Sequence, residues 1–305
     1  MFSGIGGFDL ALRNLNHTIV GACEIDRYAR QVYGRHFPGI KIYENATTIK
    51  PEELPDFDIL AAGFPCQAFS IAGKRRGFAD TRGSLFFEIA RVAKEKRPSI
   101  LLLENVKGLL SHDKGNTFKT IINTLDEIGY DAEWQVLNSK YFVPQNRERI
   151  FIIGHFRGER TRQIFPLGES SEQYNKSCRE AQSQGQRFSS KYTGALDANY
   201  YKGHDNHGAR TLIYTAQVNK NMKQKIQTRD DTWTLSTSAK DFGVMEDQRI
   251  RRLTPVECER LQGFPDNWTK YDNNGKEISD TQRYKMCGNA VTVPVIEYII
   301  SNYLL

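Results

Sequence analysis

Residues 57–67 read Phe57-Asp58-Ile59-Leu60-Ala61-Ala62-Gly63-Phe64-Pro65-Cys66-Gln67. An apolar run from Ile59 to Ala62, closed by glycine and proline, is the pattern of a buried strand that stops abruptly. A second run, Ser99-Ile100-Leu101-Leu102-Leu103, leads into Glu104-Asn105-Val106. Between the two runs, Leu85, Phe86, Ile89, Val92 and Ala93 recur at helical spacing. Strand, helix and strand in this order predict a parallel unit, with Cys66 and Glu104 side by side at its C-terminal edge.

The same rhythm extends both ways. Thr18-Ile19-Val20-Gly21-Ala22-Cys23 reads as an earlier strand, and Phe118, Ile121, Ile122, Leu125 and Ile128 mark a helix that Gly129 ends. Trp134–Leu137 and Arg149–Ile153 follow as final strands, an antiparallel pair at the sheet edge. Beyond Gly154 the alternation is lost, and residues 157 to about 250 are polar and irregular, which suggests a second domain. Thr254-Pro255-Val256-Glu257 is a capping box with proline at the first helical position, and Pro294 opens a terminal apolar helix.

A length of 305 residues fits one large domain with a smaller one. No apolar run is long enough to span a bilayer and no signal pattern begins the chain, so a cytoplasmic protein is expected, without membrane contact. Cys23, Cys66, Cys178, Cys258 and Cys287 are odd in number and scattered, so neither a disulfide framework nor a metal site is expected. The net charge of +6 equals the excess of eight Lys/Arg over two Asp between Arg187 and Arg229, where tyrosines and amides are interleaved. That stretch reads either as a solvated surface or as a binder of a phosphate backbone.

Phe2-Ser3-Gly4-Ile5-Gly6-Gly7-Phe8 is a glycine-rich turn entering a helix, and Glu24 stands about twenty residues on, at a strand end. Glycines let backbone approach a ligand, and an acid so placed accepts hydrogen bonds from a ribose. Together they point to a nucleoside cofactor, without deciding between hydride and methyl transfer. Cys66 is by default a small buried hydrophobe; at an ordinary thiol pKa near ~8.5 it needs help to react. Arg147 and Arg149 stand two residues apart on an incipient strand, hence on one face. They suit a phosphate or a base carbonyl, or simply guard an edge strand. Gly73-Lys74-Arg75-Arg76-Gly77 is either a flexible surface loop or a lid over a polyanion.

Taken in order, these blocks resemble the cytosine-C5 DNA methyltransferases. Phe2-x-Gly4-x-Gly6, Pro65-Cys66-Gln67, Asp80-x-Arg82-Gly83-x-Leu85-Phe86, Glu104-Asn105-Val106 and Gln145-x-Arg147-x-Arg149 follow the family's order. So do Arg252-Leu253-Thr254-Pro255-x-Glu257, Gln262-Gly263-Phe264-Pro265 and Gly288-Asn289-Ala290-Val291. The resemblance covers about 1–156 and 250–305. It implies an α/β fold, with a Rossmann-like methyltransferase sheet carrying helices on both faces and a smaller irregular target-recognition domain. The catalytic domain would be 1–156 and 281–305. Residues 157–280 would form the target-recognition domain and hinge, variable over about 157–250.

The resemblance further implies methyl transfer from S-adenosylmethionine to C5 of a flipped-out cytosine in double-stranded DNA, by a protein that is expected to be a monomer. Cys66 would add to C6, Glu104 would hold or protonate N3, Arg149 would contact the base carbonyl, and Arg147 would bind the backbone or support the loop. Phe2, Gly4, Gly6, Gly7, Glu24, Ile25, Asn45, Pro65, Leu85, Asn289 and Val291 would line the cofactor site. Gln67, Ser70, Lys74, Arg75, Arg76 and Arg252 would meet DNA. A tRNA-methylating relative and a non-catalytic DNA-binding homologue are the alternatives. A nicotinamide dehydrogenase would share only the glycine loop.

Three positions depart from the family's pattern. Strand residues usual before the Phe-x-Gly loop are missing, which leaves the full order of the sheet open. Asn45 stands where an acid usually meets the adenine, with an amide oxygen expected to accept from an amino group. Ala290 stands where small polar residues are frequent in the family, so one cofactor hydrogen bond is expected to be absent.

Overall fold

The computed structural model describes residues 1–65, 85–158 and 253–302 in full, and the backbone alone at 193–194, 212–215, 249–252 and 303–304. Its largest sheet has four strands: β3 (Ile59–Gly63), β4 (Ile100–Val106), β7 (Glu148–Phe156) and β5 (Tyr130–Asn138), in that spatial order. β3 and β4 are parallel, whereas β7 runs antiparallel to both β4 and β5. The expected antiparallel pair at the sheet edge is therefore present. Ile100–Leu103 is apolar without a break because β4 is covered on both faces. Ile100 and Leu102 join one core with α1 (Gly7–Asn14), α2 (Arg27–His36) and the terminal helix α7 (Val293–Leu304). Leu101 and Leu103 join another with α3 (Leu85–Lys96) and α4 (Asn116–Glu127). Helices thus lie on both faces of the sheet.

Local chemistry sets the helix ends. Asp26 caps α2 by accepting from the Tyr28 and Ala29 N–H groups. Gly129, at φ 93°, follows α4 in a left-handed conformation that costs glycine little. The Thr254 capping box forms as the sequence predicts, with Pro255 opening α5 (Pro255–Leu261). Helix α6 (Asp280–Asn289) leads by a short turn into α7, which packs against α1, so the chain's end returns to its beginning.

The strand expected over 18–23 forms a ladder only at β1 (Ala22–Cys23), parallel to β2 (Ile42–Tyr43). This short ladder and the large sheet share no described strand pairing. The first residues bridge them: Ser3 N–H donates to Cys23 O at 2.9 Å, and the Met1 amine donates to Ala61 O at 2.6 Å. Beside this bridge lies a cavity of about 610 Å³, bordered by Phe8, Leu12, Ile19, Leu54, Ile59 and Val92.

Phe264, Trp268 and Ile278, from the part expected to act as hinge, join the core of α1 and α2. Trp268 Nε1 donates to Ile5 O at 2.9 Å. Within 159–250 the described backbone is confined to β8 (Thr193–Gly194), parallel to β6 (Gln145–Asn146), β9 (Leu212–Thr215) and the start of β10 (Arg249–Arg252), antiparallel to β9. Among the described residues no helix is long and apolar enough to cross a membrane, and no group of His, Cys, Asp and Glu is arranged to hold a metal ion.

Candidate active site

Parallel pairing of β3 and β4 puts Gly63 opposite Glu104 at the C-terminal edge of the sheet. The missing side chain at Gly63 admits the carboxylate: a Cβ there would lie 3.3 Å from Glu104 Oε2. Next along β4, Asn105 Nδ2 donates to Phe64 O at 2.9 Å, in a buried bond. The backbone that leads to Cys66 is therefore held by the residue beside Glu104. Cys66 itself, with Gln67, Ser70, Lys74, Arg75 and Arg76, lies outside the described residues, and of Arg252 only the backbone is described.

Antiparallel pairing with β7 places Arg149 opposite Val106, on the face that Glu104 shares two residues earlier. Long side chains span that diagonal. Arg149 Nε stands 3.1 Å from Glu104 Oε1, and both side chains are largely out of water. Burial pushes the Glu104 carboxyl above its ordinary value near 4.5, while the charges of Arg149 and then Arg147 oppose the shift. Burial also draws the Arg149 guanidinium down, opposed by Glu104. A carboxyl whose neutral form burial favours, beside a fixed cation, can share a proton with a ring nitrogen and steady a neighbouring carbonyl.

The two arginines separate in role despite their common face. Arg147 is buried, and its Nη2 donates to Gly288 O at 3.3 Å and to Ala290 O at 2.9 Å. The turn it grips is the one that carries Asn289 and Val291.

The glycine loop forms a second corner built mainly of backbone. Phe2, Gly4 and Gly6 all have positive φ (54°, 54° and 87°). Gly4 N–H donates to Glu24 Oε2 and Asp26 N–H to Glu24 Oε1, both at 2.8 Å. These two bonds fix the carboxylate at the end of β1 and leave further lone pairs for hydroxyl donors. Space is open around Gly4, whereas a Cβ on Gly6 would lie 2.4 Å from Phe37. Gly7 is pressed by Val291, whose Cγ2 would stand 2.7 Å from a Cβ. Ile25 is 71% exposed beside Glu24, an apolar surface available to a purine face. An anchored acid, an open glycine and an exposed apolar side chain suit a nucleoside-bearing cofactor.

Other expected cofactor residues are placed less directly. Leu85 opens α3 half-buried, Pro65 is exposed at the end of the described segment, and Asn289 is exposed at the end of α6. Asn45 differs from expectation: its Oδ1 already accepts from Thr47 N–H and Thr47 Oγ1. Asparagine here caps the short 3-10 turn Ala46–Thr48, which takes up the oxygen expected to face an amino group.

Asn105, Gln262 and Lys285 carry no role legible in the sequence alone. Lys285 Nζ pairs with Asp26 Oδ2 at 2.6 Å, tying α6 to the Glu24 loop. Asn105 and Gln262 sat inside recognisable blocks, but their partners are remote in sequence and gave no local signal.

Known proteins resemble the chain along its whole length. The family model for C-5 cytosine-specific DNA methylases matches residues 1–304. The type II methyltransferase M1.ScrFI of Lactococcus lactis subsp. cremoris is 39% identical, over 100% of this chain and 77% of its own length. M.HhaI of Haemophilus parahaemolyticus is 36% identical, over 99% and 92%. Among solved structures, the S. pombe Dnmt2 methyltransferase superposes with a TM-score of 0.68 at 18% identity, over 99% of this chain and 96% of that one. The Entamoeba histolytica methyltransferase EhMeth gives 0.63 at 18% identity, over 99% and 96%. These two likenesses concern the fold. With the paired acid and arginine at the sheet edge, and a family model that spans the chain, the protein belongs to the C-5 cytosine-specific DNA methylases.

Proposed function

We propose that this DNA cytosine-C5 methyltransferase acts through a Cys66 thiolate that adds to C6 of a cytosine drawn out of the duplex. Support comes chiefly from the Glu104–Arg149 pair at 3.1 Å, buried at the edge to which Asn105 anchors the backbone before Cys66. Addition of the thiolate breaks the ring's aromaticity and makes C5 enamine-like. Glu104 holds a proton at N3 and spreads the charge that develops as Cys66 adds. Arg149, held in place by Glu104, binds the base carbonyl. A base, often water in such sites, then takes the C5 proton, and elimination frees Cys66. Extrusion of the base costs a few kcal/mol. In the proposed arrangement the segment from Gln67 to Gly83, with Ser70, Lys74, Arg75 and Arg76, and the region before Arg252 supply compensating contacts.

S-adenosylmethionine, bound at the glycine corner, supplies the electrophilic methyl group that C5 receives. Gly4, Gly6 and Gly7 bring backbone close to it, Glu24 accepts from the ribose, Ile25 covers the purine, and Phe2, Pro65, Leu85, Asn289 and Val291 complete the lining. We further propose that 1–156 and 281–305 form the catalytic domain, and that 157–280 form the target-recognition domain and hinge. In that division Phe264, Trp268 and Ile278 of the hinge rest on the first domain's core, while Leu253, Cys258 and Leu261 pack with Cys287 of α6. Relatives named as type II methyltransferases support a place in a restriction-modification system.

Bisulfite sequencing of DNA from cells that express the protein tests this reading. One short motif should carry methylcytosine at a fixed position, and a Cys66→Ser variant should leave it unmodified. Methylation of tRNA with none on duplex DNA would overturn the assignment of substrate.

A further inference from the structure

The turn at residues 288–292 carries two of the side chains proposed to meet the cofactor, and of the carbonyls at the end of α6 only that of Cys287 is met by the cap itself, from Ala290 N–H at 3.3 Å. Buried side chains from elsewhere take them. Gln262 Nε2 donates to Cys287 O at 2.9 Å, and Arg147 donates to the carbonyls of Gly288 and Ala290, on either side of Asn289. Gln262 Oε1 accepts from Thr292 Oγ1 at 3.0 Å and from Gln145 Nε2 at 3.4 Å. Since the Thr292 hydroxyl proton goes to Gln262, Thr292 Oγ1 accepts from Ser139 Oγ, 2.8 Å away. The backbone closes the ring, with Val293 N–H on Gln262 O at 2.9 Å. Gln262, Gln145, Thr292 and Ser139 are all buried.

This network joins three remote segments: the loop and strand after β5, the end of α5, and the turn between α6 and α7. What it fixes is the height of Val291 over Gly7, a contact so close that Gly7 cannot carry a side chain. A shift of the turn by a few tenths of an ångström would press on the N-terminus of α1 or open a gap there. None of the four polar residues is among those proposed to touch cofactor or base.

We propose that Gln262 and Thr292 are positioning residues for S-adenosylmethionine, setting its affinity by holding the 288–292 turn against the glycine loop. This rests on the cofactor reading above. Thr292→Val is isosteric and removes only the hydroxyl, Thr292→Ser restores it, and Gln262→Leu removes the centre of the network. Calorimetric titration of each full-length protein with S-adenosylmethionine and S-adenosylhomocysteine, beside its melting temperature and steady-state kinetics, tests the idea. Thr292→Val should weaken both ligands by about tenfold, the scale of one buried hydrogen bond lost. The loss should fall on KM for the cofactor, with kcat and DNA affinity kept, and Thr292→Ser should bind like the unaltered protein. Gln262→Leu should weaken binding further; if it does not fold, the threonine pair decides alone. Equal cofactor affinity in Thr292→Val and Thr292→Ser, with only the melting temperature moved, would reduce the network to a structural role and overturn the proposal. Unaltered protein that bound neither ligand would overturn the cofactor reading first, and this inference with it.

Discussion

The acid corner, at the edge of the large sheet, and the glycine corner, beside the β1 ladder, solve opposite problems. At the first, Glu104 and Arg149 are ionisable groups taken out of water, with Arg149 Nε beside Glu104 Oε1. At the second, the contacts are backbone N–H groups, positive-φ residues and a carboxylate that still borders solvent. Desolvated charges serve a reaction in which charge develops, because their effect is strongest where water is excluded. Backbone and glycine serve close approach to a ligand that must come and go. Damage to the two corners should therefore appear in different measurements.

Glu104→Gln should have the largest effect on the reaction, lowering kcat by about 10²–10⁴-fold while the affinity for S-adenosylmethionine stays the same. A matching fall in cofactor affinity would break the contrast between the corners. Arg149→Met should come next. It leaves Glu104 buried beside the more distant Arg147, and unfolding in denaturant should show a loss of about 3 kcal/mol. Little change in stability would mean that the pair is more solvated than its geometry indicates.

The glycine corner should respond within itself. Gly6→Ala meets Phe37 and needs φ 87°, so a loss of about 2 kcal/mol and weaker cofactor binding are expected. Gly4→Ala meets nothing within 4 Å and bears only the strain of its positive φ, about 1 kcal/mol. Equal losses at the two glycines would show that the Phe37 contact relaxes freely.

The smallest effect is one of pH. Burial raises the Glu104 carboxyl, so the folded state keeps its proton where the unfolded chain has released it. Its contribution to stability is present in full below the ordinary value near 4.5 and is lost as pH rises through the folded value. Melting temperatures of the unaltered protein and Glu104→Gln should therefore diverge as pH climbs above 4.5 and then run parallel. Parallel curves from the start would place Glu104 in a more polar setting.

The sequence carried much of this contrast, unevenly. Ile100–Leu103 announces a strand, and Thr254-Pro255-Val256-Glu257 marks the start of α5 to the residue, because both signals are local. β1 was read over 18–23 but pairs only at Ala22–Cys23, since pairing depends on a neighbour that periodicity does not reveal. α6 is not legible because Asp280–Asn289 is polar and buries little apolar surface, and the carbonyls of Cys287 and Gly288 at its C-terminal end are held by residues far away in sequence. At the site, Glu104 and Arg149 were visible as types at strand ends. That Arg147 would instead grip the 288–290 carbonyls could not be read from two arginines on one face.

Trapping on a duplex that carries 5-fluorocytosine in the methylated motif tests the central claim most directly, because fluorine at C5 cannot leave as a proton and the Cys66 bond to C6 is retained. With S-adenosylmethionine present, the unaltered protein should form a denaturation-resistant adduct whose linked peptide contains Cys66, and Cys66→Ser should form none. An adduct of equal yield in Cys66→Ser, or methyl transfer to ordinary cytosine by that variant, would contradict the account.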